Sequence, residues 1–303
     1  MTKISGIHHV TAISGAAQAN VDFFTGVLGQ KLVKKTVNFD DPGTYHLYYG
    51  DAAGSPGTIL TFFPFADAGP GRAGPGMASA YAYAIPAGDF DQITDDLAAR
   101  GLATAGTGLR FGERFITLRD PDGAPVELIE STAAQDTHGF HSVTLWERDP
   151  ERTVKLLTEV FGYEKAGTEQ EGATERQRLI APGAERGRIL DVIRVAGAQP
   201  GRQGAGTIHH IAFRTKDDAE QKEWMERLAH AGHRTTPVTD RQYFNAIYFR
   251  EPGGVLFEIA TDPPGFAIDE PAHSLGQALK LPPRYEPMRD RIERVLPPLR
   301  VRS

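Results

Sequence analysis

The chain repeats itself. The segment LRDPDGAPVELIE, ending at Glu130, reads like FREPGGVLFEIAT, ending at Thr261, and sets Glu127 against Glu258, 131 residues further on. DDLAARG at 95 to 101 matches ERLAHAG at 226 to 232, and Pro70-Gly71-Arg72 matches Pro200-Gly201-Arg202 at nearly the same offset. Two related halves follow. Each half divides again, because IHHVTAI at 7 to 13 resembles both FHSVTLW at 140 to 146 and IHHIAFR at 208 to 214. The natural count is four modules, each opening with a strand, passing through an amphipathic helix and closing with strands around a Gly/Pro turn.

The spacing predicts helices at about 16 to 28, 88 to 100, 149 to 161 and 217 to 231, so the elements are mixed α+β. Asp149-Pro150 is a helix start, with the aspartate as cap and the proline in the first turn, and Gly101 and Gly232 are stops. Gly- and Pro-rich stretches at 66 to 76 and 196 to 206 read as linkers between paired modules. The expected organisation is an N-terminal half over 1 to 135, a C-terminal half over 136 to 262, and a proline-rich tail over 263 to 303. That tail packs on the domain and carries a short helix near 287 to 295.

Composition narrows the chemistry. With no cysteine, any metal must be held by imidazole and carboxylate. A hydrophobic share of 40% with 24% charged residues is globular, and no run approaches the roughly 20 apolar residues of a membrane span. The N-terminus lacks the apolar core of a signal peptide, so a cytoplasmic location is expected. A net charge of -6, with Lys and Arg scattered, argues against nucleic acid and for a small-molecule partner. Proteins of this size often dimerise, so a homodimer is an expectation.

Glu258 lies in the apolar strand GGVLFEIA, where Leu256, Glu258 and Ala260 share a face. A buried carboxylate must be neutralised, either by a metal or by an arginine such as Arg241 or Arg250. The paired histidines of IHHV and IHHI weight the choice toward a metal. Each pair opens a half-buried strand, and strand alternation makes one member of each a ligand and the other not, without saying which. Two imidazoles and one carboxylate form the facial triad of non-haem Fe(II) oxygen-using enzymes, which leaves positions open for substrate and dioxygen. In the repeat, Ser142 takes the place of His9, and Ser79 or Ala80 that of His210, while Glu127 is retained, so the second pseudo-site should be empty.

Together IHHVTAISGAAQANVDFFTGVLGQKLVKKTVNFDDPGTYHLYYGD, FGERFITLRDPDG, HGFHSVTLW, IHHIAF and FREPGGVLFE resemble the ring-cleaving dioxygenases of the vicinal oxygen chelate (glyoxalase/bleomycin resistance) superfamily, in particular the hydroquinone-cleaving branch. The resemblance implies four βαβββ modules paired into half-barrel sheets, with one Fe(II) between modules one and four and O2 as co-substrate. It assigns the metal to His9, His210 and Glu258, and places His8, Thr11, His209, Arg241 and Tyr248 around a hydroquinone-type or catechol-type ring. Mn(II) accepts similar ligands. Tyr248 has separate support: a hairpin turn at 251 to 254 sets it across from Glu258. Tyr45, Tyr48, Tyr49 and the phenylalanines of FFPF at 62 to 65 are candidates for an apolar pocket, whereas His46, His138, His141, His230, His233 and His273 have no partner at metal spacing.

Two other functions suit the same scaffold. A glyoxalase-like isomerase or lyase would use its metal as a Lewis acid and usually recruit a fourth protein ligand, for which GTILTFFPF offers no carboxylate. A sequestering protein that binds an aromatic without reacting would be marked by lost metal ligands, and here all three remain.

Overall fold

A computed structural model describes residues 3–301. Module one comprises β1 (Ile7–Ser14), α1 (Ala17–Gly26), β2 (Lys31–Val37), β3 (Tyr45–Gly50) and β4 (Ile59–Pro64). Module two comprises β5 (Met77–Pro86), α2 (Phe90–Ala99), β6 (Gly106–Arg110), β7 (Glu113–Arg119) and β8 (Pro125–Ser131). Module three comprises β9 (Phe140–Trp146), α3 (Pro150–Lys155), β10 (Glu164–Glu171), β11 (Thr174–Ile180) and β12 (Ile189–Val195). Module four comprises β13 (Thr207–Thr215), α4 (Asp218–His230), β14 (Thr239–Asp240), β15 (Phe244–Arg250) and β16 (Leu256–Pro264).

The modules assemble into two curled eight-stranded half-barrel sheets. One runs β14-β15-β16-β13-β1-β4-β3-β2 and joins modules four and one; the other runs β10-β11-β12-β9-β5-β8-β7-β6 and joins three and two. Each sheet thus takes one module from each half of the sequence. The seams are the antiparallel pairs β1–β13 and β5–β9, formed by the opening strands that resemble one another in sequence. The two Gly/Pro linkers lie side by side, with Gly71 N donating to Ala205 O and Arg72 N to Arg202 O, each at 2.8 Å. Gly71 is required there, because a Cβ would stand 2.4 Å from Thr207 Cγ2.

The helices follow their apolar spacing. In α1, Ala17, Asn20, Val21 and Phe24 fall at i, i+3, i+4 and i+7 and are buried. Full burial of a side chain such as Val21 or Phe24 is worth roughly 1.5–3 kcal/mol. In α4, Gln221, Trp224 and Leu228 face the sheet, Asp217 accepts the capping hydrogen bond from Glu220 N at 2.9 Å, and Gly232 turns the chain away at φ 84°. At the third helix Pro150 occupies the first turn, but the Asp149 side chain caps nothing, and the helix continues as a π turn over Leu156–Val160.

The tail holds its short helix, α5 (Arg289–Val295), against module one. Lys34, fully buried, is met at 2.6 Å by both Asp269 and Glu270, and the Arg284 guanidinium and Tyr285 hydroxyl donate to the Phe39 carbonyl at 2.8 and 2.7 Å. Among the described residues no helix is long and apolar enough to cross a membrane.

Candidate metal centre

Strand register brings the three candidate ligands together. In β1–β13 His9 pairs with Ala212, and in β13–β16 Ala212 pairs with Glu258, so these three residues form a row across adjacent strands. His210 lies two residues before Ala212 on the same face. Alanine in the middle of the row leaves the space into which the flanking side chains reach. His9 Nε2 stands 3.4 Å, and His210 Nε2 2.8 Å, from Glu258 Oε2. Ligands about 2.1 Å from a shared ion at near right angles stand about 3 Å apart.

All three side chains are buried, and both Glu258 oxygens and His210 Nε2 lack a hydrogen-bond partner despite their proximity. Atoms that converge on one point without hydrogen-bond alignment are what a cation coordinates. Neither arginine considered from the sequence neutralises Glu258. Arg241 donates to Tyr248 Oη at 3.0 Å and pairs with Asp40 at 3.3 Å, and Arg250 donates to Gly254 O. Burial opposes ionisation of Glu258, and the adjacent His9 and His210 overcome it, holding the carboxyl below its ordinary range. Among the described residues this is the only group of three or more His, Asp or Glu side chains placed to hold a metal, and it has no fourth member.

The neighbouring histidine of each pair orients the candidate ligand. His8 Nδ1 lies 2.9 Å from His9 Nδ1, and His209 Nδ1 lies 2.7 Å from His210 Nδ1. With Nδ1 so engaged, Nε2 of His9 and His210 is the nitrogen left to face a cation. Burial, followed by the charge of His9, lowers His8 well below the ordinary histidine range, and burial, followed by His210, brings His209 down to about 3, so both are neutral partners. Adjacent strand residues normally point to opposite faces. A register shift between Ile7 and His9 breaks that alternation in β1 and lets the two rings meet.

A cavity of about 350 Å³ opens beside His9, His210 and Glu258. Thr11, His209, Arg241 and Tyr248 line it, and Tyr248 pairs directly with Glu258, as the hairpin geometry predicts. His8 does not line it, being packed behind His9 against Phe244. Of the aromatic candidates, Tyr48, Phe63 and Phe65 reach the cavity, whereas Tyr45 and Tyr49 turn into the core, where their hydroxyls donate to Pro297 O and Asn20 Oδ1. Sequence reasoning missed His46, Phe39 and Phe244, which also line the wall. The only available signal for His46 was its place two residues before Tyr48 on one strand.

In the second sheet the register sets Ala80 opposite Thr144 and Ala82 opposite Glu127, so Ala80 rather than Ser79 corresponds to His210. Glu127 there is held by both terminal nitrogens of Arg110, at 2.7 and 3.0 Å. There a guanidinium neutralises the carboxylate, which in the first sheet faces two imidazoles. A larger cavity, about 690 Å³, lies elsewhere around Arg186, Asp136, Glu113 and His141, whose side chains pair with one another or with Asp51 and Arg178.

Residues 6–128 and 139–259 each match the family model described as the glyoxalase/bleomycin resistance protein/dioxygenase superfamily. The chain is 44% identical to a candidate ring-cleaving dioxygenase of Bacillus subtilis, MhqO, over 99% of this chain and 98% of that protein. It is 33% identical to a chlorohydroquinone/hydroquinone 1,2-dioxygenase of Sphingobium indicum, over 97% and 96% of the two chains. The crystal structure of a candidate dioxygenase of Bacillus subtilis superposes with TM-score 0.94 at 43% identity, covering all of both chains. Glyoxalase I of Zea mays shares the fold alone, with TM-score 0.65 at 17% identity over 85% of this chain and 92% of that one.

Proposed function

The chain belongs to the glyoxalase/bleomycin resistance protein/dioxygenase superfamily, and on that premise we propose that it is an Fe(II)-dependent dioxygenase that opens the ring of a hydroquinone-type or catechol-type substrate with O2. The observation that carries this reading is the convergence of His9, His210 and Glu258, buried and without another cation, beside a cavity walled by aromatic side chains. Full-length relatives named as ring-cleaving dioxygenases support the same chemistry. The donor set suits Fe(II), and Mn(II) as well.

When bound by these three side chains, Fe(II) supplies the redox step that couples an aromatic ring to dioxygen, with positions left open for both. The chain's own residues prepare the ring. A cavity of about 350 Å³ accommodates a single substituted ring, and Phe63, Phe65 and Phe244 exclude water from its faces. With Nε2 of His210 given to the metal, its Nδ1 would carry the proton and donate to His209 Nδ1 2.7 Å away, so the His209 imidazole would keep its proton on Nε2 and offer the cavity a donor. Tyr248 Oη already accepts from Arg241, which leaves its own proton for a substrate oxygen. Burial, reinforced by the Glu258 charge, raises Tyr248 well above the ordinary phenol range, so it enters the reaction protonated.

The test is anaerobic loading with Fe(II) followed by oxygen-electrode measurement with a panel of hydroquinones and catechols. Oxygen uptake and a ring-opened chromophore are expected, and His210→Ala should lose iron and turnover together. Turnover supported by Zn(II) without oxygen uptake would refute the proposal.

A further inference from the structure

Four buried polar side chains form a line that ends in the cavity. The register fixes it: Thr11 of β1 pairs with Thr61 of β4, and Thr61 pairs with Tyr48 of β3, so three side chains stand in one row across three strands. His46 lies two residues before Tyr48 on the same face. The bonds follow in sequence. Tyr48 Oη is 2.8 Å from His46 Nδ1, His46 Nε2 is 2.8 Å from Thr61 Oγ1, and Thr61 Oγ1 is 2.9 Å from Thr11 Oγ1.

Each of the four groups carries one proton and three bonds join them, so a line in which each member donates to the next leaves one proton at one end; Thr61 does not accept from both neighbours, because its Oγ1 donates to Thr11 Oγ1. If the line ran from Thr11 toward Tyr48, that proton would be left on the phenol. Tyr48 is 1% exposed and packs against His46, Tyr243 and Phe266, with part of it reaching the cavity, but a run in that sense would make Thr61 accept from Thr11, whereas Thr61 Oγ1 donates to Thr11 Oγ1. Run the other way, the most acidic hydroxyl donates to the imidazole, and the spare proton falls on Thr11, which lines the cavity. Burial, with the nearby His9, His210 and Arg241, keeps His46 far below the ordinary histidine range despite Glu258, so it has one N–H to donate and one nitrogen to accept.

Resting on the function proposed above, we infer that Tyr48, His46 and Thr61 form a one-directional hydrogen-bond chain that fixes the Thr11 hydroxyl as a donor to an oxygen of the bound aromatic substrate. His46, although it also lines the cavity, is then a positioning residue, which sets the direction of the Thr11 hydroxyl through Thr61. It is the function that its place in the cavity wall, unmarked by any metal spacing, provides.

Two measurements test this, and they fail separately from the dioxygenase reading. In the full-length chain labelled with 15N-histidine and loaded with Zn(II), long-range 1H–15N spectra should show His46 protonated on Nε2 with Nδ1 accepting. A proton on Nδ1 reverses the chain and overturns the inference, whatever reaction the protein catalyses. In the Fe(II)-loaded enzyme, His46→Phe and Thr61→Val should each lower kcat/KM about tenfold or more at unchanged iron content, the scale expected for a hydrogen bond to a developing charge. His46→Gln should restore most of the loss, because its amide both accepts from Tyr48 and donates to Thr61. The double variant Thr11→Val/His46→Phe should be no slower than Thr11→Val alone. Additive losses in that pair, or failure of His46→Gln to recover activity, would show that His46 does not act through Thr11. Absence of oxygen uptake by the wild-type enzyme would sink the dioxygenase reading and with it the substrate role of Thr11, while the His46 tautomer would still decide the direction of the chain.

Discussion

Replacing Glu258 by glutamine removes the one negative charge of the candidate metal centre with little change of shape. The wild-type carboxylate is fully buried, and its close neighbours are the two histidine Nε2 atoms. A metal present at about 100 times its Kd stabilises the folded chain by about 2.7 kcal/mol. An unfolding entropy of about 2.1 cal/mol/K per residue over 303 residues gives about 0.6 kcal/mol/K, so that stabilisation should raise Tm by about 4 °C. Glu258→Gln should unfold close to the wild type without metal, since the amide fills the same space and donates to an imidazole nitrogen. Under the same Fe(II) concentration it should show a shift near zero. The assay is an anaerobic thermal melt with and without Fe(II), alongside iron content after desalting. An equal rise in both proteins would show that the metal sits elsewhere and would refute the assignment.

The second sheet and the third module offer further tests. Arg110→Ala strands Glu127 as an uncompensated buried charge and should cost about 3–5 kcal/mol in urea unfolding, whereas Arg110→Met with Glu127→Leu should recover most of that loss; equal stability of the single variant and the wild type would contradict the pairing. Glu147, 1% exposed, is pushed up to about 9 by burial and then by the neighbouring Glu251. Its folded value lies above its unfolded one, so the stability it allows is complete below about pH 4.5 and is lost as the pH rises toward 9. Urea unfolding from pH 5 to 9 should show the wild type losing up to about 1.4 kcal/mol per pH unit more than Glu147→Gln, and parallel profiles would contradict this.

The sequence by itself determined what repetition and short-range geometry can carry. Recurrence of the opening strand and of the Glu127 and Glu258 segments implied the modules, and helix spacing placed α1 to α4 within a few residues. A turn at 251 to 254 sufficed to set Tyr248 against Glu258, because hairpin register is counted along one continuous stretch of chain. The hydroquinone-cleaving resemblance supplied the three candidate ligand positions, which periodicity alone left open between the members of each histidine pair. Only the tertiary structure decided what depends on distant strands lying next to one another. The shift in β1 that turns His8 behind His9, the alanine that leaves room between His9 and Glu258, and Arg110 reaching Glu127 are facts of register between segments far apart in sequence. His46 shows the limit most clearly. Nothing in YHLYYG separates a cavity residue from a core one, because both alternate in the same way, and only the neighbours Thr61 and Thr11 on adjacent strands join His46 to the cavity wall.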